Sequence, residues 1–162
     1  MSDDETFEAV EANGTDTIPM QAGQLKKGDY VCIKGFPCRI VDLSVSKTGK
    51  HGHAKASITA LDIFTGKKYE DGAPTSHNMA VPVVKTNQYQ LVDIGMPDKD
   101  TGKRPLSLLD EEAEERNDLN LPEDEDLAKR IMEGFESGNE VTVTVTSAMG
   151  HHQVMGIKTT TG

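Results

Sequence analysis

Short stretches in which apolar and polar residues alternate run along the chain from residue 29, and glycine or proline separates them. That pattern predicts short β-strands joined by turns. Four such stretches lie in the first half of the chain. They are Asp29–Lys34, Pro37–Ser46, Ala54–Phe64 and Met79–Val84. Four or five strands within about 65 residues favour a small barrel of the SH3-like type.

The second half has a different pattern, because a helical segment interrupts its strands. Four apolar or alternating stretches predict strands here. They are Tyr89–Gly95, Arg104–Asp110, Glu140–Thr146 and Val154–Thr159. Between the second and the third, the chain from Pro122 to Gly138 predicts a helix. Strands with one helix between them fit a barrel of the OB-fold type.

The predicted helix has signals at both ends and an apolar stripe. A proline suits the first helical turn, and the acidic residues 123–126 complement the positive end of the helix dipole. Leu127, Ile131 and Phe135 recur every fourth residue, so they are expected to share one face. Gly138 is typical of a helix end.

These patterns predict a mainly β protein, in which an N-terminal SH3-like barrel precedes a C-terminal OB-fold barrel with one helix. The composition changes near Val84–Thr86, and we place the domain boundary there. Residues 1–17 would then form a disordered acidic tail. Residues 18–84 would form the SH3-like basic domain, and residues 85–162 the OB-like acidic domain.

The charge changes sign twice along the chain. The whole chain carries 17 Lys and Arg against 27 Asp and Glu, a formal net charge of −10. The first 17 residues hold six acids and no Lys or Arg, whereas residues 18–85 hold ten basic and five acidic residues. Residues 86–162 hold seven basic and sixteen acidic ones. A locally basic module can make focused contacts with phosphate even within an acidic protein.

Membrane and secreted proteins do not fit the sequence. No apolar run approaches the roughly 20 residues of a membrane-spanning helix. The acidic N-terminus lacks the basic and apolar regions of a signal peptide. The two cysteines, Cys32 and Cys38, are not the dense framework of a secreted scaffold. We expect a cytoplasmic protein with reduced thiols and no membrane partner.

The segment Ser46–Lys55, SKTGKHGHAK, concentrates the most distinctive chemistry of the chain. It contains no acid and five basic or titratable side chains. They are Lys47, Lys50, His51, His53 and Lys55. Gly49 and Gly52 allow sharp turns on either side of Lys50. Because hairpin loops usually close in two to five residues, we interpret Lys47–His53 as a long exposed tip, either a solubilising loop or an anion-binding finger.

Other chemistries fit this segment less well. A phosphate-binding P-loop reads G-x-x-x-x-G-K-[ST], but His51 follows Gly49-Lys50, so NTP hydrolysis is rejected. His51, His53 and His77 are a candidate zinc set, yet the lysines nearby would repel the ion. His151-His152 face opposite sides of a predicted strand, which is a poor arrangement for chelating one ion.

Catalysis by a thiol and single-strand binding by the C-terminal half are also disfavoured. Cys32 and Cys38 lie in apolar strands, where a thiol is usually inert packing. OB folds bind single strands with a basic groove and stacking aromatics, but this half is acidic and its aromatics are Tyr89 and Phe135. We interpret the acidic stretch Asp110–Asp126 as a solvated face leading into the helix, with protein docking as the alternative.

Several motifs together resemble the translation initiation factor 5A family of eukaryotes and archaea. They are KGDYV at 27–31, KGFPC at 34–38, SKTGKHGHAK at 46–55, DIFTGKKYED at 62–71, HNM at 77–79, DLNLP at 118–122 and TSAM at 146–149. The loop motif is the most specific of them, and the resemblance covers about residues 17–160. Departures occur at Val45, at 56–60 and at 150–155, outside the tip around Lys50.

The resemblance implies that Lys50 becomes hypusine. Deoxyhypusine synthase would transfer the aminobutyl group of spermidine to it, using NAD, and deoxyhypusine hydroxylase would complete the change. The modified factor would bind the E site of the ribosome beside the peptidyl-tRNA and promote elongation through proline runs, as well as termination. The loop residues expected to contact RNA or the ribosome are Lys47, Thr48, Gly49, Lys50, His51, Gly52, His53 and Lys55.

The same resemblance implies a protein that is no enzyme, holds no cofactor or metal, and binds no DNA. Our leading hypothesis is therefore a ribosome-binding translation factor activated at Lys50. The alternative is a generic two-domain RNA-binding or transport protein that uses the basic N-terminal barrel. An enzyme is a third class, but no nucleophile is paired with a base along the sequence.

Overall fold

The computed structural model describes residues 17–48 and 53–160. These residues form two compact units. The first runs to Val84 and includes Ala148–Gly150, and the second takes Lys85–Ser147 and the chain from His151 onward. Both units are built mainly of β-strands, and the described residues contain one α-helix. No helix of the described residues is long and apolar enough to cross a membrane.

The first unit contains six strands and a three-residue 3-10 turn. In chain order these are β1 (Thr17–Gln21), the 3-10 turn (Ala22–Gln24), β2 (Tyr30–Ile33), β3 (Phe36–Thr48), β4 (His53–Asp62), β5 (Lys68–Pro74) and β6 (Asn78–Pro82). The second unit contains five strands and the helix. These are β7 (Lys85–Ile94), β8 (Leu106–Leu109), β9 (Glu115–Arg116), α1 (Glu125–Glu136), β10 (Glu140–Ala148) and β11 (His151–Thr160).

The first unit packs a four-stranded antiparallel sheet, in the order β2-β3-β4-β5, with the two-stranded sheet of β1 and β6. Strand β4 shows why it forms, because every second side chain from Ala56 to Ala60 is buried and the residues between are exposed or half-buried. These side chains join one hydrophobic core. Its largest fully buried members are Val31, Ile33, Cys38, Ile40 and Ile58.

The second unit is a five-stranded sheet, in the order β11-β10-β7-β8-β9, with α1 packed against β11. Ile131 is fully buried, and Leu127 and Phe135 pack on the core at its edge, which confirms the predicted apolar stripe. Along β10, Val141, Val143 and Val145 alternate with half-buried threonines.

The helix starts later than predicted. The sequence predicts a start at Pro122, but α1 begins at Glu125, and Asp124 is its N-cap. Asp124 Oδ1 accepts a hydrogen bond from Leu127 N at 3.2 Å. An N-cap residue has a non-helical backbone, so Pro122 and Glu123 both lie before the helix.

The last strand starts earlier than predicted. The sequence predicts Val154–Thr159, whereas β11 begins at His151. Met149 and Gly150 both have positive φ angles, 51° and 78°. Two such residues form the tight turn that matches strand twist in a hairpin, so pairing with β10 resumes at once.

Three strands are absent from the sequence prediction. Strand β1 begins with Thr17, which the prediction assigns to the tail; the rest of that predicted tail lies outside the described residues. Strand β5 is polar and exposed along most of its length. Strand β9 is two residues long and lies within the stretch interpreted as a solvated acidic face. None of the three has the alternation that reveals a strand.

Candidate functional site

The distinctive segment lies at the end of the hairpin of β3 and β4, which we call the arm. The pairing of the two strands ends at Thr48 opposite His53, so four residues join them. These four residues lie outside the described part of the chain. They are Gly49, Lys50, His51 and Gly52. The structure therefore defines the two strands that carry Lys50, and the roles predicted for these four residues stay predictions.

The predicted length of the tip is wrong. Lys47, Thr48 and His53 are paired strand residues, so the connection has the ordinary length of a hairpin loop. The length of the connection between β3 and β4 is therefore no argument for a binding function. The sequence could not show how far the strands extend, because the last paired residues, Lys47, Thr48 and His53, are all polar and have no alternation that marks a strand.

Lys47 and Lys55 lie on opposite faces of the arm. Residues directly opposite in an antiparallel pair share a face, and successive residues alternate. Lys47 pairs with Ala54, and Lys55 pairs with Ser46, so the two lysines point to opposite sides. Both are exposed, and no carboxylate of the described residues lies within ion-pair distance of either ammonium. The arm presents positive charge on each side of its tip.

The arm is held by the core and by a third strand. The buried residues of Ala56–Ala60 anchor β4 from below. Strand β5 pairs with β4 as far as Lys55 opposite Pro74. Beyond that pair, Thr75 N donates a hydrogen bond to Ala54 O at 3.0 Å. Backbone hydrogen bonds from the neighbouring part of the chain therefore hold β4 as far as Ala54, which is one residue from the end of the strand at His53.

The side chain of Lys55 crosses β5 at a glycine. A Cβ atom added to Gly72 would lie 3.2 Å from Lys55 Cε and 3.9 Å from its Nζ, so the lysine stem passes over this residue. The carboxylate of the adjacent Asp71 is turned to the backbone, where its Oδ1 accepts a hydrogen bond from Gly72 N at 2.8 Å. The absence of a side chain at position 72 therefore leaves a path for the Lys55 stem.

The two cysteines have the character of packing residues. Burial is the main cause that raises the pKa of the Cys38 thiol to about 11, and the charge of Asp62 raises it further. Cys38 Sγ lies 3.4 Å from Phe36 O, to which it donates. Cys32 is half-buried, and burial raises its pKa as well. A protonated thiol is a poor nucleophile, so neither cysteine has the environment of a catalytic one.

Of the three histidines considered as a zinc set, only His77 has a described side chain. His77 lies in a cleft of about 390 Å³ that is also lined by Cys32 and Asp71. His51 lies outside the described chain, and the side chain of His53 does too. Within residues 17–48 and 53–160, no group of three or more His, Cys, Asp or Glu side chains is arranged to hold a metal ion.

In the second unit Arg116, on the edge strand β9, covers the ring of Tyr89, which lies on the central strand β7. Arg116 Nε and Nη2 donate to the two carboxylate oxygens of Asp118 at 2.7 and 3.1 Å, and Nη1 donates to the Tyr89 hydroxyl at 2.9 Å. The guanidinium carbon lies 5.4 Å from the Tyr89 ring centroid. The bond to Asp118 raises the pKa of Arg116, and the same bond lowers the pKa of Asp118. Tyr89 is therefore already stacked within the unit.

A second aromatic cluster lies at the start of β3, at the opposite end of that strand from the arm tip, and no sequence pattern reveals it. Phe36 stacks on Tyr69, with ring centroids 5.4 Å apart and an interplanar angle of 17°. Lys67 Nζ lies 5.4 Å from the Tyr69 centroid. The local signal was an aromatic residue directly after the Lys34-Gly35 turn, but the stack itself depends on a contact between residues far apart in the chain.

Two family models match the chain. One, described as "Translation initiation factor 5A-like, N-terminal", matches residues 15–77. The other, described as "Eukaryotic elongation factor 5A hypusine, DNA-binding OB fold", matches residues 83–158. The chain belongs to the translation initiation factor 5A family. The resemblance seen in the sequence motifs is thereby confirmed.

Relatives in this family match nearly the whole chain. The "Eukaryotic translation initiation factor 5A" of Trypanosoma brucei brucei is 54% identical over 162 residues, covering 98% of this chain and 97% of the relative. The "Eukaryotic translation initiation factor 5A-1" of Saccharomyces cerevisiae is 48% identical over 159 residues, covering 98% and 96%.

Solved structures of the family have the same fold. A family protein from Naegleria fowleri superposes with a TM-score of 0.79 at 52% identity, over 88% of this chain and 98% of that one. The "Eukaryotic translation initiation factor 5A from Methanococcus jannaschii" gives 0.65 at 34% identity, over 88% and 95%. The predicted fold class is confirmed. Members of the 5A family are translation factors rather than enzymes, so the prediction of a non-enzymatic protein is confirmed too.

Proposed function

We propose that this member of the 5A family binds the ribosome at the E site and acts there through hypusine at Lys50. Deoxyhypusine synthase and deoxyhypusine hydroxylase would modify Lys50 in the cytoplasm, from spermidine, and the protein itself needs no bound cofactor. The modified side chain would lie beside the acceptor end of the peptidyl-tRNA. There it would promote elongation through stalling sequences such as proline runs, and termination.

The observation that carries this proposal is the arm with Lys50 in its four-residue connection. The connection departs from paired strands whose backbone is held up to Ala54. A rigid base is what a long side chain needs if its end is to be placed accurately, because positioning a group lowers the entropic cost of using it. Lys47 and Lys55, on the two faces of the arm, are available for RNA phosphates.

The chemistry of the modification fits the proposed task. An unmodified lysine is one cation on a flexible stem. Hypusine is roughly twice as long and adds a second amine and a hydroxyl group, so it extends the reach and the number of contacts to phosphates and 2′-hydroxyls. Proline has a fixed φ and a secondary amine, and holding such reactants in a productive geometry lowers the barrier to peptide-bond formation. The ribosome would perform the reaction, and this chain would position the substrate.

A reconstituted translation assay that uses the hypusine-modified protein tests the proposal. The chain is co-expressed with the two modifying enzymes, and mass spectrometry of the peptide that spans Lys50 reports the hypusine mass increment. Translation of a reporter with a run of prolines is then compared with a proline-free reporter. We expect modified chain to accelerate only the first reporter, and Lys50→Arg to reduce that rate to the factor-free level.

Lys103→Arg is the matched control. Lys103 also follows a glycine in an exposed turn, but in the second unit, so its substitution should leave the rate unchanged. An unmodified Lys50 after co-expression would contradict the proposal. So would a Lys50→Arg chain that keeps full activity on the proline reporter. If that chain also binds RNA normally, the alternative of a generic RNA-binding protein is supported instead.

A further inference from the structure

The aromatic cluster at the start of β3 has an exposed ring. Phe36 keeps 45% of its surface accessible although it stacks on Tyr69. Tyr69 is half-buried and packs against the core of the first unit. One ring therefore anchors the pair, and the other is presented to solvent. The cluster lies at the opposite end of β3 from the arm tip, twelve residues from Thr48.

The exposed ring is held in place by its backbone as well as by Tyr69. Phe36 pairs with Ile33 across the β2–β3 hairpin. Lys34 and Gly35 form its turn, with φ angles of 53° and 85°. Two positive φ angles in succession define a tight hairpin turn with little freedom. A ring fixed in this way loses little conformational entropy when something stacks on it.

Two lysines give the cluster a positive charge. Lys67 lies over Tyr69, and Lys34 occupies the turn two residues before Phe36. No carboxylate of the described residues forms an ion pair with either of them, whereas the neighbouring Lys68 is paired with Glu70 at 3.6 Å. An aromatic face beside unpaired cations is the combination that proteins use to bind single-stranded nucleic acid.

We propose that Phe36, supported by Tyr69 and flanked by Lys34 and Lys67, is a stacking site for a base of single-stranded RNA. The base would stack on the free face of Phe36, and the lysines would contact the phosphates on either side of it. The contact is separate from Lys50 and does not rest on hypusine. It gives the basic unit a second point of attachment to RNA at the far end of its sheet.

Charge favours RNA over an apolar protein partner at this site. An apolar partner would have to cover the ammonium groups of Lys34 and Lys67 without pairing them, which is costly. A nucleotide supplies the ring and the negative charge together. It also needs no deep groove, because stacking uses one face of the ring.

The test uses the full-length protein with the substitution Lys50→Arg, so that hypusine cannot contribute to binding. Fluorescence anisotropy measures its binding to a fluorescein-labelled oligoadenylate of about 12 nucleotides, a length within the range of single-strand sites. Adding Phe36→Ala should weaken binding at least about fivefold, the lower end for one base–aromatic stack. Lys67→Gln should reduce the slope of log K against log salt by about 0.7, the value for one phosphate contact of a single strand.

Two further variants separate stacking from other effects. Phe36→Leu keeps an apolar side chain without an aromatic face, so it should bind as weakly as Phe36→Ala. Ile18→Ala removes another exposed apolar side chain of the same unit, from β1, and should change affinity by less than about twofold. The thermal midpoint of each variant checks its folding, which should be unaffected because both side chains are substantially exposed.

The proposal is overturned if Phe36→Ala binds within about twofold of the parent, or if Phe36→Leu restores full affinity. The second result would show that an apolar contact to the RNA, rather than an aromatic face, accounts for the affinity. These outcomes are independent of the Lys50 proposal. If Lys50→Arg abolishes proline-dependent translation but Phe36→Ala does not change RNA affinity, only the stacking site is rejected. The hypusine proposal is then retained.

Discussion

Replacing Asp62 by alanine should destabilise the turn between β4 and β5, which leads into Lys67 and Tyr69. Asp62 is 5% exposed and ends β4. Its Oδ1 accepts hydrogen bonds from Phe64 N at 2.8 Å and from Thr65 N at 3.3 Å. The alanine variant loses both acceptor contacts and keeps only the backbone bonds of the turn.

The expected loss is about 2–3 kcal/mol. A hydrogen bond to a charged group contributes about 1.5–3 kcal/mol, and here one bond is short while the other is long enough to count for little. Asp62→Asn keeps an oxygen in the same place without the charge, so it should cost less than half as much. Urea unfolding at constant m-value measures both losses.

Both Asp62 variants should also lower the pKa of the Cys38 thiol. The charge of Asp62 contributes to the raised pKa of Cys38, after burial. Both Asp62→Asn and Asp62→Ala should therefore bring the Cys38 pKa below about 11. The thiolate absorbance of chain carrying Cys32→Ser reports it. A loss of stability below about 0.5 kcal/mol in Asp62→Ala would refute the reasoning, since one ordinary hydrogen bond contributes at least that much. Equal losses in the two variants would show that charge, not the acceptor geometry, holds the turn.

Three other features can be tested in the same way. Near neutral pH a thiol reagent should modify Cys32 first and Cys38 only as the chain unfolds, and equal rates would contradict the burial. Arg116→Gln should return the pKa of Asp118 toward its ordinary value in an NMR titration. A lowered carboxyl pKa stabilises the fold above the unfolded-state pKa, so the stability difference between parent and variant should shrink as the pH falls through the folded-state pKa; a constant difference would contradict this. Asp124→Ala should cost about 1 kcal/mol in urea unfolding, with Asp124→Ser largely neutral, and a neutral alanine would mean that the cap does not hold α1.

The sequence predicts those parts of the fold in which one buried face requires apolar residues at a regular spacing. The alternation along β4 and β10 and the four-residue stripe of α1 were all visible because one face of each packs on a core. Strand β5, KYEDGAP, has one buried residue and no period, and its place depends on pairing with β4. The sequence prediction placed the start of α1 at Pro122, whereas the hydrogen bond from Leu127 N to Asp124 makes Asp124 the N-cap.

The features of the site that come from one contiguous stretch of sequence could be predicted. Those that depend on contacts between strands could not. The motif around Lys50 is contiguous and could be recognised directly. The extent of the arm depends on pairing that polar residues do not reveal. The stack of Phe36 on Tyr69 joins residues 33 positions apart, and the path of Lys55 over Gly72 joins two different strands. Such contacts follow from register, which a single sequence does not display.

The placement of Lys47 and Lys55 on opposite faces determines how the arm can approach an anionic surface. A hairpin with both cations on one face would lie flat on a single strand of phosphates. One with a cation on each face can pair with anionic groups on two facing walls at once. The paired strands of the arm therefore suit a cleft with anions on both sides better than a flat anionic surface. Removing either lysine would leave cationic contacts to one wall only.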